Sequence, residues 1–317
     1  GGISRPAQGA EPGATVWSGL LVPAYFPPSR TGDWGALADA SAQVPLIAIA
    51  NVFNGPGTEP RADYRQVIDA LRRSGGRVLG YVHTSYTRRP LEAVASDVRN
   101  WGQWYEIDGI FVDEMTNDGA AAGVEYYRAL RLEARARNRR WMVAGNPGTT
   151  TRETYLLAPA ADMLVTFENR TGYDAYLRDT WTRRYEARRF AHLLYAISAP
   201  AGMEAALDLS RRRGAAWIYV TDDDLPNPWD RLPAYWAAEV GAVREANREV
   251  PLELRLSRQD AGSLLVMLTS LPGAHRIQSS RDLLTWTDWY ATVVGDEPLQ
   301  LRVPVEDLEA RFLRAVR

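Results

Sequence analysis

The chain has 317 residues and no cysteine. That excludes disulfides, thiolate metal sites and a cysteine nucleophile. Export is compatible with this, since exported bacterial proteins often lack cysteine. Histidine is nearly as scarce, with three in the whole chain. His83 and His192 have no His-x-x-x-His or similar partner, so a zinc site is not expected. No apolar run approaches the roughly 18 residues of a membrane span. Charge of one sign is missing too: the net charge is −2 and the pI is near 6.0. A nucleic-acid partner would need a clustered basic face. The one basic run, Arg131 to Arg140, lies on a helical pattern and reads as a solvated outer face. There is no GxSxG elbow for an esterase or deacetylase. The DDDLPN stretch lacks the alternating ligand spacing of a calcium loop.

What is present is an ordinary globular composition, 46% hydrophobic and 24% charged. The opening residues, 1–16, are rich in Gly, Ala and Pro and read as a flexible leader, the remnant of a removed signal peptide. Apolar runs then recur at a regular interval: GLLVPAYF (19–26), PLIAIANV (45–52), RVLGYVHT (77–84), GIFVDE (109–114), RWMVAGN (140–146), DMLVTFE (162–168), AHLLYAIS (191–198) and AAWIYVTD (215–222). Helical patterns such as DYRQVIDALRRSGG and GMEAALDLSRRRG separate them, several ending in the glycine that favours a helix C-terminus. Near-continuous apolar strands alternating with amphipathic helices imply a covered parallel sheet. Eight such units over residues 17–249 fit a (β/α)8 TIM barrel better than an open doubly wound sheet. From residue 250 to 317 the texture changes to short alternating segments broken by DAG, LPGA and GDEP. That pattern predicts a small all-β, antiparallel sandwich-like domain.

In such a barrel the reacting groups sit at the carboxyl ends of the strands. Reading off those ends gives Tyr25, Asn51, His83, Asp113 with Glu114, Asn146, Glu168, Tyr195 and Asp222. Strand alternation sends Asp113 and Glu114 to opposite faces, although a strand-end residue can turn with its loop. A carboxylate at the end of a buried strand costs several kcal/mol unless compensated. As single residues these acids could be helix caps or ion pairs. As a set they suit the two-carboxylate apparatus of glycoside hydrolysis, one general acid and one nucleophile or base. The TDDD stretch at 221–224 either lends negative potential to the cleft, suiting a polymer with free amino groups, or caps the next helix. Candidate sugar platforms among the 11 tryptophans and 15 tyrosines are Tyr25, Tyr81, Tyr86, Trp181, Tyr185, Tyr195, Tyr219 and Trp229. Tyr25 and Trp229 are preferred, because each is loop-like and flanked by proline. In the C-terminal domain Trp286 and Trp289 either form a second carbohydrate face or belong to a module that only packs or tethers.

VPAYFPP (22–28), NGPG (54–57), GYVHTSY (80–86), WYEIDGIFVDE (104–114), EYYRAL (125–130), NPGT (146–149) and Phe167–Glu168 occur in one order along the barrel. With these segments the chain resembles the spherulin-4 family of glycoside hydrolases, whose characterised fungal members are endo-α-1,4-galactosaminidases. The resemblance implies catalytic acids at Asp113, Glu114 and Glu168. Asp113 would be the nucleophile of a retaining mechanism and Glu168 the acid/base, with Glu114 tuning their pKa values or binding substrate. Sugar contacts are expected at Tyr25, Asn51, Asn54, His83, Tyr86, Asn146, Tyr195, Asp222 and Trp229. No cofactor and no metal are expected, the partner is a polysaccharide, and the protein is expected to be an exported monomer. Fungal relatives tend to have Asn-Pro where this chain has Asn51-Val52, and Gly where it has Thr87, which leaves the sugar specificity open. A non-catalytic carbohydrate-binding or matrix protein on the same barrel is the alternative.

Overall fold

Eight parallel strands close into a barrel in chain order. They are β1 (Gly19–Ala24), β2 (Leu46–Ala50), β3 (Arg77–His83), β4 (Gly109–Asp113), β5 (Met142–Gly145), β6 (Met163–Asn169), β7 (Phe190–Leu194) and β8 (Trp217–Val220). The structure is a computed structural model that describes residues 17–260, 263–294, 299–304 and 312–316. The leader expected over residues 1–16 lies outside the described residues. Pairing of Leu20 with Leu46 on one side and Ile218 on the other closes the ring. Every residue of β1 and β2 is buried. That burial on both faces explains why the strands read as unbroken apolar runs.

Five long helices cover the outside: α1 (Thr31–Ser41), α2 (Ala62–Arg73), α3 (Leu91–Trp104), α4 (Ala121–Arg137) and α6 (Pro200–Arg212). In α2, Tyr64, Ile68 and Leu71 face the barrel at helical spacing while the arginines face out. The regular alternation fails after β5. There α5 (Thr154–Leu157) is a single turn, and β6 reaches β7 through two 3-10 turns, Thr180–Arg184 and Ala187–Arg189. A last helix, α7 (Trp236–Ala246), follows β8. Among the described residues no helix is long and apolar enough to cross a membrane.

Two glycines let elements approach closely. A Cβ on Gly80 would overlap the indole of Trp101, which α3 lays over β3, and Trp101 Nε1 donates to Tyr81 O at 2.9 Å. Gly109 opens β4 with φ +156°, and a Cβ there would overlap the Met142 carbonyl. The first half of the GIFVDE segment is therefore shaped by packing rather than chemistry.

Past α7 the chain forms β9 (Glu253–Asp260), β10 (Ser263–Thr269), β11 (Gly273–Ser280), β12 (Thr287–Val294), β13 (Leu299–Pro304) and β14 (Phe312–Val316). They make two antiparallel three-stranded sheets, β13-β10-β9 and β12-β11-β14. Val266 and Leu268 of one sheet form a common core with Ile277 and Val294 of the other. The Arg314 guanidinium lies 4.2 Å over the Trp286 ring, and Trp289 packs against that core.

Candidate active site

The carboxyl ends of β4, β5 and β6 bring Asp113, Asn146 and Glu168 together. Asn146 is buried, and its Nδ2 donates to Asp113 Oδ1 at 2.8 Å and to Glu168 Oε2 at 2.7 Å. The backbone fixes this amide as firmly as the side chain does. Asn146 N–H donates to Val112 O, and Met115 N–H donates to Asn146 O. The amide oxygen, Asn146 Oδ1, is buried with no partner. A free buried acceptor is costly unless something else fills it, so the site offers one to a ligand hydroxyl or N–H.

The two carboxylates are supported unequally. Asp113 also accepts from the Tyr81 hydroxyl at 2.9 Å and from the Glu114 backbone N–H. Burial pushes its pKa up and the Glu114 charge adds to the rise, while these three donors pull it back. Glu168 has Asn146 alone. Burial, then the neighbouring Asp113 charge, push its pKa up to about 7. Three donors against one favours the anion at Asp113 and the proton at Glu168.

Glu114 has φ +52°, so the backbone leaves the strand alternation there. Its carbonyl accepts from Thr84 Oγ1 at 2.8 Å and from Tyr86 N–H at 2.8 Å. Thr84, fully buried, holds the Asp113 carbonyl as well. Tyr81 and Thr84 both lie in GYVHTSY, and neither role shows in the sequence: one is a donor to an acid, the other a backbone clamp.

The other strand-end residues ring this centre. Tyr25 packs edge-on to Tyr81 with centroids 5.3 Å apart, and the Asp113 and Glu168 charges add to the effect of burial in raising its pKa. His83 is the register partner of Asp113 and its Nδ1 meets Asn54 O at 3.2 Å. Asn51 spends its side-chain oxygen on Gly55 N–H, which closes the Asn51–Gly57 loop. Phe53 stands out of that loop 82% exposed, a rim residue that no sequence pattern picks out. Tyr86 is 52% exposed on a turn where Ser85, Tyr86 and Thr87 all have positive φ (48°, 58° and 68°). Three consecutive left-handed non-glycine residues are strained.

Across the cleft, Tyr195 packs edge-on against Trp229 at 5.8 Å. Trp229 itself is buried against Tyr195 and Tyr219, because its carbonyl accepts from Tyr25 N–H and draws the loop inward. Asp222 is engaged by Arg231 at 2.7 Å. Asp223 meets the same arginine at 3.4 Å and hydrogen-bonds Asp230. Trp181 and Tyr185 pack on Phe190, the first residue of β7, at the end of the strand opposite the carboxylates.

Comparison with known proteins places the chain in a family. The profile of spherulation-specific family 4 matches residues 19–243. Spherulin-4 of Physarum polycephalum is 31% identical over 240 residues, 72% of this chain and 70% of that protein. The crystal structure of Aspergillus clavatus Sph3 in complex with GalNAc superposes with a TM-score of 0.62 at 22% identity. It spans 72% of this chain and 98% of that one.

Proposed function

The chain belongs to the spherulin-4 family, and from that premise we propose that it is an exported bacterial endo-glycosidase that hydrolyses α-1,4-linked galactosamine or N-acetylgalactosamine polymers. The observation that carries the reading is the pair of acids on one amide. Two oxygens accepting from one nitrogen at 2.8 and 2.7 Å stand within about 5.5 Å of each other, the separation of a retaining pair. Asp113, held ionised by three donors, attacks the anomeric carbon. Glu168, with its pKa near 7, gives its proton to the departing glycosidic oxygen. The resulting glycosyl ester on Asp113 is then attacked by water, whose proton Glu168 takes back. Glu114 lies next to the nucleophile in the chain and helps raise its pKa. Tyr86 and Phe53 at the rim suit stacking on sugar rings further along a chain. The similar Sph3 structure holds GalNAc, which supports a galactosamine-type sugar here. A polymer of this kind does not cross a membrane, which supports action outside the cell.

The test is reducing-end release from partly deacetylated α-1,4-galactosaminoglycan by wild type, Asp113→Asn and Glu168→Gln, with the product anomer read by NMR. Release by wild type with retained configuration, lost in both variants, is the expected result. Undiminished release by either variant overturns the assignment of acids. Binding without release by wild type overturns the hydrolase in favour of a carbohydrate-binding barrel.

A further inference from the structure

At the end of the barrel opposite the carboxylates lies an open groove of about 1580 Å³. Its walls are the last turns of α2, α3 and α4 and the segments leading into β3, β5 and β7. Ten arginines and four carboxylates line it, in a chain whose net charge is −2. Helix C-termini favour cations, which accounts for Arg72, Arg73, Arg135 and Arg137 in last turns. It does not account for Arg139, Arg140, Arg188 and Arg189, which lie beyond the α-helices.

Two of the four acids of the groove are already committed. Asp108 takes Arg72 at 3.0 Å and the Val78 N–H. Asp162 takes Arg131 at 2.8 Å, Arg135 at 3.1 Å and the Val143 N–H. Among the described residues, Arg73, Arg139 and Arg140 are exposed and form no ion pair. Arg189 is half-buried with its Nε unpartnered. Cationic forks in excess around a concave channel make a standing positive field, and an anion relieves it.

We infer that this groove binds an acidic polysaccharide, whose carboxylates the arginine forks engage in pairs of hydrogen bonds and whose hydroxyls meet the amides of Asn100, Gln103 and Asn138 that lie among them. The interleaved neutral amides fit sugar hydroxyls. Single-stranded nucleic acid fits poorly, because it needs exposed rings for its bases. The two aromatic residues of the groove, Tyr105 and Trp141, are both 4% exposed. A second glycan held here leaves the carboxylate end of the barrel free, so the site tethers the protein without occupying the cleft. Such binding is independent of the proposed hydrolysis, since it is read without turnover.

The experiment titrates the full chain with polygalacturonate, with neutral dextran and with a DNA duplex, at 50 and 200 mM salt. Wild type is compared with Arg73→Gln/Arg139→Gln/Arg140→Gln and with Arg139→Glu/Arg140→Glu, each checked for an unchanged melting temperature. Polygalacturonate binding is expected to weaken about tenfold or more between the two salt concentrations, and by about tenfold in each variant, with no binding to dextran. Reducing-end release in the cleft assay is expected to be unchanged. No binding of polygalacturonate, binding indifferent to both variants, or tighter binding of the duplex overturns the inference.

Discussion

Asp113 Oδ1 and Glu168 Oε2 accept from the same nitrogen, Asn146 Nδ2, at 2.8 and 2.7 Å. One donor thus sets both the spacing of the acids and the affinity of each for a proton. The amide lowers both pKa values against the burial that raises them. Asn146→Ala removes it from both. Both limbs of the pH–rate profile should move to higher pH, and kcat/KM should fall about a hundredfold, the usual cost of one aimed donor. A profile that drops without moving would mean that Asn146 contributes bulk alone.

Tyr81 separates the two acids. Its hydroxyl reaches Asp113 and not Glu168, and burial raises its own pKa further out of range, so it remains a donor throughout. Tyr81→Phe should raise the pKa of Asp113 and move only the acid limb upward. The alkaline limb, which reports Glu168, should stay in place. Movement of the alkaline limb alone would reverse the roles of the two carboxylates.

Glu168 also leaves a mark on stability. A carboxyl whose folded pKa is about 7, against an unfolded value near 4.5, binds its proton more tightly when folded. The stability it contributes is complete below the unfolded value and is lost as pH rises through the folded one. Glu168→Gln never ionises, so it should match wild type near pH 4 and be the more stable by about 3 kcal/mol at pH 8. Denaturant melts at the two pH values check this. An equal difference at both would place the pKa of Glu168 at its ordinary value.

The eight strands were legible because a parallel barrel buries both faces of each strand, which leaves runs such as PLIAIANV with no alternation to confuse. Asp113 and Glu168 were legible for the same reason: a charge ending an apolar run stands out. Asn146 was legible as a residue but not as a bridge, since the two oxygens it joins come from strands on either side of its own. Trp229 has a loop-like setting between its prolines, yet the hydrogen bond from Tyr25 N–H to its carbonyl pulls it into the core. Phe53 is invisible in the sequence because one apolar side chain in a polar loop carries no periodicity. The missing helix between β6 and β7 lies over residues with no clear pattern of either kind.

The run DMLVTFE reads as a plain strand, but its pairing skips a residue. Val165 faces Ala191 and Phe167 faces His192, so Thr166 is a bulge two residues before Glu168. A bulge beside a reacting group re-aims the residues after it. This one is pinned from behind: His192 Nε2 meets Thr166 Oγ1 at 3.2 Å, and its Nδ1 meets the Tyr173 hydroxyl at 2.7 Å. Burial pushes the pKa of His192 down to about 3, so the ring is neutral wherever the protein works and adds no limb of its own. Thr166→Val keeps the shape and removes the partner of Nε2, at a cost of about 1–3 kcal/mol. If the pin aims Glu168, kcat should fall about tenfold while KM and both pH limbs hold, because the acid keeps its environment and loses its angle. Thr166→Ser should restore kcat. A loss of stability with kcat untouched would leave the bulge a feature of the fold alone.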